Sequence, residues 1–180
     1  MDQGIESFYR RGYFTDARRT VEDARKAIDA AEKAQNQWER TPSIERAAYL
    51  TKIAAGIRKR EKELTDIIVR EGGKTQGLAN VVLFTADYMD YMAGWARRYE
   101  GEIIPSDRPH ENIFLFKRPI GVTTGILPWN FPFFLVARKA APALITGNTI
   151  VIKPSNLRQR THMYSRRSWR RQVCLPAFSI

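Results

Sequence analysis

The chain has 180 residues, 43% hydrophobic and 27% charged, which suits one sizeable globular core with room for part of a second. A single cysteine, Cys174, excludes an internal disulfide and a cysteine-based zinc site, and His110 and His162 stand apart without a ligand pattern, so no metal centre is expected. A net charge of +11 would ordinarily point to nucleic acid or an anionic surface, but six of the excess charges (Arg158, Arg160, Arg166, Arg167, Arg170, Arg171) fall in residues 157–180, a segment without one acid.

Residues 1–19 show no clear period. From Thr20 the pattern turns helical: Val21, Ala24, Ala27, Ile28, Ala31 and Trp38 share one face. Thr20 suits an N-cap, and Glu22 and Asp23 fall in the first turn, where the helix dipole favours acids. Thr41-Pro42 announces a second helix, with Thr41 as cap and Pro42 at the first helical position. Its stripe of Leu50, Ile53, Ile57, Leu64 and Ile68 carries it to about Glu71-Gly72-Gly73. A third helix is expected from Leu78 to Tyr99. The charged residues of these helices read as solvated faces.

The period then changes. Asn112–Arg118 reads as a strand and Val122–Leu127 as another, with a break at Pro119-Ile120-Gly121. Pro132–Leu144 reads as a helix and Gly147-Asn148 as a turn. Thr149–Lys153, a short β-branched run, has the signature of a buried parallel strand. Helices followed by strand–helix–strand predict the opening of an α/β domain. No run approaches the ~18 apolar residues of a membrane span. Residues 1–6 lack the basic and apolar regions of a signal peptide, so the cytoplasm is the expected compartment.

One residue stands out. Asn130 sits inside Ile126-Leu-Pro-Trp-Asn-Phe-Pro-Phe-Phe-Leu-Val136, the most apolar run in the chain. A buried amide without a partner costs about 1–3 kcal/mol, so the side chain either caps something or is aimed at something. Local bonding, as a turn or a cap before Pro132, is the plainer alternative.

Three stretches decide between these: Gly121-Val-Thr-Thr-Gly-Ile-Leu-Pro-Trp-Asn-Phe-Pro-Phe133, Ala141-Pro-Ala-Leu144 and Gly147-Asn-Thr-Ile-Val-Ile-Lys-Pro-Ser155. In this order and spacing they make residues 21–155 resemble the early part of an NAD(P)-dependent aldehyde dehydrogenase. The segment from Phe84 to Trp95 and on to Pro109 is most similar to the bacterial lactaldehyde/glycolaldehyde branch. The resemblance implies an α/β architecture: N-terminal helices, then the opening of a Rossmann-like cofactor-binding domain over residues 20–156, truncated. It implies NAD or NADP as cofactor and an aldehyde as substrate.

In that family a cysteine thiolate attacks the aldehyde carbon, hydride passes to the nicotinamide, and water hydrolyses the thioester. The Asn matching Asn130 donates its amide to the developing oxyanion. Such donors are typically worth about 2.7–4 kcal/mol, and an apolar surround would strengthen this one. Ile126, Leu127, Pro128 and Trp129 match positions lining the cofactor, though core packing would also suit them. Lys153 matches a ribose contact with Ser155 close by; a lone lysine after a strand is otherwise a solvated residue.

The chain also departs from the family. Asn156 stands where the pattern has the Glu that holds the ribose hydroxyls, and the match stops at Ser155. No Gly-rich pyrophosphate segment, Glu-Leu-Gly-Gly or Gly-Gln-x-Cys follows, and the neighbours of Cys174 make it an ordinary free thiol. Residues 1–19 lack the family's opening, and 157–180 read as a disordered or out-of-frame tail. The expectation is therefore an inactive fragment, the product of a disrupted gene, whose cofactor binding is doubtful and whose cut sheet folds poorly. Two alternatives stay open. One is a non-catalytic partner of a full-length family member. The other, weaker one is a nucleic-acid module built on the arginines with Tyr164, Trp169 and Phe178.

Overall fold

The computed structural model describes residues 20–73, 75, 77, 80–155 and 178–179. The readings placed on 1–19, on Leu78, and on 156–177, including Asn156, His162 and Cys174, lie outside the described residues.

Helix α1 spans Val21–Arg40, and the expected cap at Thr20 is a full capping box. The Asp23 amide donates to Thr20 Oγ1 (3.2 Å), and the Thr20 amide donates to Asp23 Oδ2 (2.9 Å). Such caps contribute about 1 kcal/mol. The apolar stripe is buried only in its second half, at Ala31, Ala34 and Trp38; Val21 is 71% exposed and Ile28 41%.

Helix α2 (Ser43–Lys59) begins differently from expectation. Pro42 stands at the cap position without a side-chain bond, and Thr41 Oγ1 donates backwards to the Gln37 carbonyl (3.0 Å), closing α1 instead. The single long helix expected here is two. Arg60 leaves helical angles (φ −113°, ψ 20°), its amide bonds to the Ile57 carbonyl at 3.0 Å, and α3 (Glu61–Gly72) follows. The seven-residue step from Ile57 to Leu64 fits a continuous helix and a broken one equally, so the pattern hides the break. Helix α4 covers Val81–Ala93, shorter than expected, and its last turn tightens into a 3₁₀ segment at Gly94–Arg97.

A strand absent from the sequence reading, β1 (Glu102–Pro105), pairs antiparallel with β2 (Asn112–Leu115). Both strands are exposed throughout. The βαβ unit matches expectation: β3 (Val122–Ile126), α5 (Pro132–Ile145) and β4 (Thr149–Lys153), with β3 and β4 parallel. A two-residue strand, β5 (Phe178–Ser179), completes the order β3-β4-β5.

Helix α1 packs along β4 and β3, while α2 and α4 pack on α5. The core lies between these layers around Phe133, Leu144, Ile53, Ile57 and Met89, all fully buried. Each such side chain contributes about 1.5–3 kcal/mol of transfer free energy. Gly125 lets the sheet pack this closely: a Cβ there would stand 2.7 Å from Ile152 Cδ1.

Candidate functional site at the carboxyl ends of β3 and β4

The two parallel strands run in register from Val122↔Thr149 to Ile126↔Lys153, so their carboxyl ends finish side by side. Open α/β sheets place ligands at that edge. The Leu127 amide donates to the Lys153 carbonyl (3.0 Å), carrying the ladder one step beyond β3. Leu127 is 4% exposed and belongs to the core. Its neighbours turn outward: Ile126 is 74% exposed, Trp129 52%, and Pro128 and Asn130 are also exposed. Lys153 is exposed, its Nζ 3.4 Å from the Pro154 carbonyl, and Ser155 is half-buried. The structure thus brings Ile126, Pro128, Trp129, Asn130, Lys153 and Ser155 to one end of the sheet and sends Leu127 inward.

Two expectations change here. The apolar flanks of Asn130 do not make a dry site, because Pro128 and Pro132 break both periodicities and the intervening side chains project outward. The cap position of α5 falls one residue after Asn130. Phe131 occupies the cap position of α5, with φ −133° and ψ 65°, where an apolar side chain offers no capping oxygen, while Pro132 fills the first turn.

Helix α5 therefore begins at this edge, and its amino-terminal dipole favours negative charge there. Aromatic rings gather beside it: Phe134 lies 4.8 Å from the Phe84 ring and 5.5 Å from that of Tyr88. Burial raises the Tyr88 pKa above its usual 10, with Arg138 acting in the opposite direction. An exposed apolar shelf, an amide, a lysine and a helix amino terminus can accept a flat, partly anionic molecule such as a dinucleotide. On that chemistry the residues present fit a nicotinamide cofactor.

The opposite end of the sheet carries hydrogen bonds that the sequence reading did not foresee. Asn148, 7% exposed, accepts from the amides of Ile120 (2.7 Å) and Gly121 (3.0 Å) through Oδ1 and donates to Thr146 Oγ1 (2.8 Å). Gln35 donates to the Gly147 carbonyl (3.1 Å) and accepts from the Thr149 amide (2.8 Å). Trp38 Nε1 donates to the Leu144 carbonyl at 3.1 Å. Arg46, expected on a solvated face, is 7% exposed. Its Nε donates to the Ile145 carbonyl (3.1 Å), and its Nη1 donates to the carbonyls of Glu39 (3.3 Å) and Thr41. Burial lowers its pKa, yet a guanidinium stays protonated and suits the carboxyl terminus of α5. Gly147 has φ +86°, and a Cβ there would stand 2.8 Å from Pro119 Cγ, so the turn needs glycine.

Two open concavities, of about 440 and 450 Å³, lie on helix surfaces, one lined by Lys33, Asn36 and Arg40, the other by Lys59, Lys62 and Asp66. Neither includes a residue of the strand ends. Among the described residues no group of three metal-ligating side chains occurs, and no helix is long and apolar enough to cross a membrane.

The sequence profile described as "Aldehyde dehydrogenase family" matches residues 12–176. Lactaldehyde dehydrogenase of Escherichia coli (strain K12) is 76% identical over 145 residues, which are 80% of this chain and 29% of that protein. D-glyceraldehyde dehydrogenase (NADP(+)) of Thermoplasma acidophilum is 42% identical over 120 residues, 66% of this chain and 24% of that protein. A crystal structure of E. coli lactaldehyde dehydrogenase superimposes with a TM-score of 0.85 at 65% identity, covering 87% of this chain and 33% of that one. The chain thus spans about a quarter to a third of the length of these relatives.

Proposed function

The chain belongs to the aldehyde dehydrogenase family, and from that premise we propose that it carries part of the machinery for NAD(P)-dependent oxidation of an aldehyde to a carboxylic acid. Similarity to lactaldehyde dehydrogenase supports a short hydroxyaldehyde as the substrate class. The observation behind the reading is that β3, which leads through Asn130 into the start of α5, and β4, which ends at Lys153, finish side by side at the carboxyl edge of a parallel sheet. In this reading Ile126, Pro128 and Trp129 form an apolar bed for the cofactor, Leu127 supports it from the core, and Lys153 and Ser155 bond its ribose. The cofactor, when bound, supplies the hydride acceptor. Asn130 presents its amide to the oxygen on which negative charge builds, an interaction stronger in the transition state than in the ground state. The nearby helix terminus favours the same charge.

The 180 residues contain neither the Gly-Gln-x-Cys element nor Glu-Leu-Gly-Gly. We therefore expect no aldehyde-dependent NADH from this chain alone; steady NADH production by the pure chain would refute that. The acid-free, arginine-rich composition of 157–180 supports a disrupted coding frame, checked by translating the other frames past codon 155. Cofactor binding is tested separately by titrating NAD⁺ and NADP⁺ calorimetrically against the chain and its Lys153→Ala variant. Saturable heat that weakens in the variant supports the assignment of the edge, and equal heat in both sinks it.

A second reading, association with a full-length family member, is favoured by the exposed apolar ladder of β1 and β2. Ile103 is 71% exposed, Phe114 56% and, just beyond β2, Phe116 76%. Co-expression with a tagged full-length relative tests it: co-purification supports the reading, and its absence removes it. The cytoplasm remains the proposed compartment, on the single cysteine.

A further inference from the structure

The charge of the chain is divided at one place. Residues 1–111 hold nineteen basic and nineteen acidic side chains, whereas residues 112–180 hold eleven basic and no acidic ones. The whole net charge of +11 therefore belongs to the segment that begins with β2. Every ion pair among the described residues lies within 20–111. The described cations of the second segment are Lys117, Arg118, Arg138, Lys139 and Lys153, and all are exposed. Two of them attend the strand ends. Lys153 closes β4. The stem of Lys139 packs over Gly125, one residue before the end of β3; a Cβ there would stand 3.5 Å from Lys139 Cβ. Among the described residues Lys153 Nζ meets the Pro154 carbonyl (3.4 Å) and no carboxylate. Helix α1, which packs along β4, carries acids, but Glu22 is paired with Lys26 and Asp23 is held by Thr20.

Parallel α/β sheets distinguish the two nicotinamide dinucleotides near such strand ends. A carboxylate bonds the 2′-hydroxyl of the adenosine ribose, and a cation accommodates a 2′-phosphate. A carboxylate would also repel that phosphate, which carries about −1.5 to −2 charges at neutral pH. Residues 112–180 have no carboxylate side chain to offer, and the strand end they form presents a lysine. We propose that this edge takes the 2′-phosphorylated dinucleotide, NADP⁺, in preference to NAD⁺, with Lys153 and Ser155 bonding the 2′-phosphate. The proposal rests on the cofactor reading above and narrows it to one form of the cofactor. Lys153 brings a point charge with three donors on a flexible stem, which suits a phosphate whose oxygens face several ways. The Ser155 hydroxyl, two residues on, donates to the same group. Arg138 and Lys139 add a positive field that no acid of their own segment opposes.

The test is calorimetric titration of the full chain with NAD⁺, NADP⁺ and inorganic phosphate at low and high salt. NADP⁺ should bind at least about tenfold more tightly than NAD⁺, the value of one charge-assisted bond. The margin should shrink as salt rises. Lys153→Ala should remove the margin and Lys153→Arg should keep it. Ser155→Asp, which places a carboxylate at the edge, should reverse the order of the two dinucleotides. Thermal melts establish that each variant is folded; should Lys153→Ala melt early, Lys153→Arg and Ser155→Asp decide. NAD⁺ binding as tightly as NADP⁺ overturns the proposal and leaves the cofactor reading standing, whereas binding of neither removes both. A margin that persists in Lys153→Ala overturns the assignment to Lys153. Displacement of NADP⁺ by inorganic phosphate at equal concentration overturns the proposal too, because it marks unselective attraction of anions.

Discussion

The two ends of the β3–β4 pair are built in opposite ways. At the amino ends, the polar side chains of Gln35, Trp38, Arg46 and Asn148 are matched, although Thr149 Oγ1 is buried without a partner. Asn148 ties together the segments entering both strands, and Gln35, Trp38 and Arg46 close the carbonyls that α5 and its turn leave open. At the carboxyl ends, Ile126, Trp129, Asn130 and Lys153 stand in solvent. Both ends come from the same motif-dense stretch, Gly121–Ser155. A recognisable motif is therefore no guide to which of its residues hold the fold and which meet a ligand. Asn148 and Asn130 are the same residue type eighteen positions apart, one a staple and the other presented outward.

Substitutions at the closed end should show the largest effects. Arg46→Ala leaves the carbonyls of Ile145, Glu39 and Thr41 without their cationic donor, and urea denaturation should show a loss of about 3 kcal/mol. A loss below about 0.5 kcal/mol would mean that water replaces the guanidinium, and the contrast between the ends would collapse. Asn148→Ala removes the shared acceptor of Ile120 and Gly121 and should cost about 2 kcal/mol by the same measurement.

The third expectation concerns alkaline pH. The Tyr88 pKa is raised in the folded chain, so the fold holds the phenolic proton more tightly than the unfolded chain does. Stability should then fall as pH rises through and above 10, and Tyr88→Phe should flatten that fall in thermal melts. An identical alkaline slope in the variant would assign the loss elsewhere. The smallest effect belongs to the open end. Asn130→Ala should change stability by less than about 0.5 kcal/mol, because the side chain is exposed. A loss comparable to that of Asn148→Ala would recast Asn130 as structural.

The order of elements was legible because it rests on short-range signals. Thr20 with Asp23, Pro132 at a helix start, and Thr149–Lys153 each declare themselves within a few residues. The closed end was not legible. Gln35 reaches Gly147 and Thr149, and Arg46 reaches Ile145, across about a hundred residues, and no periodicity carries that information. Arg46 looked like any arginine on a helix surface. β1 was missed because Gly101-Glu-Ile-Ile-Pro105 offers only two apolar residues, side by side, where alternation would mark a strand. At the site, the residues came from resemblance, while their exposure came only from coordinates, since prolines on both sides of Trp129-Asn130 erase the pattern that assigns inside and outside.

The long-range bonds of Gln35 and Trp38 also bear on the order of events during synthesis. Their partners, Leu144, Gly147 and Thr149, emerge from the ribosome more than a hundred residues after α1. At about 5–20 residues per second, α1 waits several seconds or more for its acceptors. Until then Trp38 has no Leu144 carbonyl to bond, and the helix must persist on its capping box and on α2 alone. Closing so wide a loop is entropically slow, so docking of α1 on the β3–β4 pair should be a late step in folding.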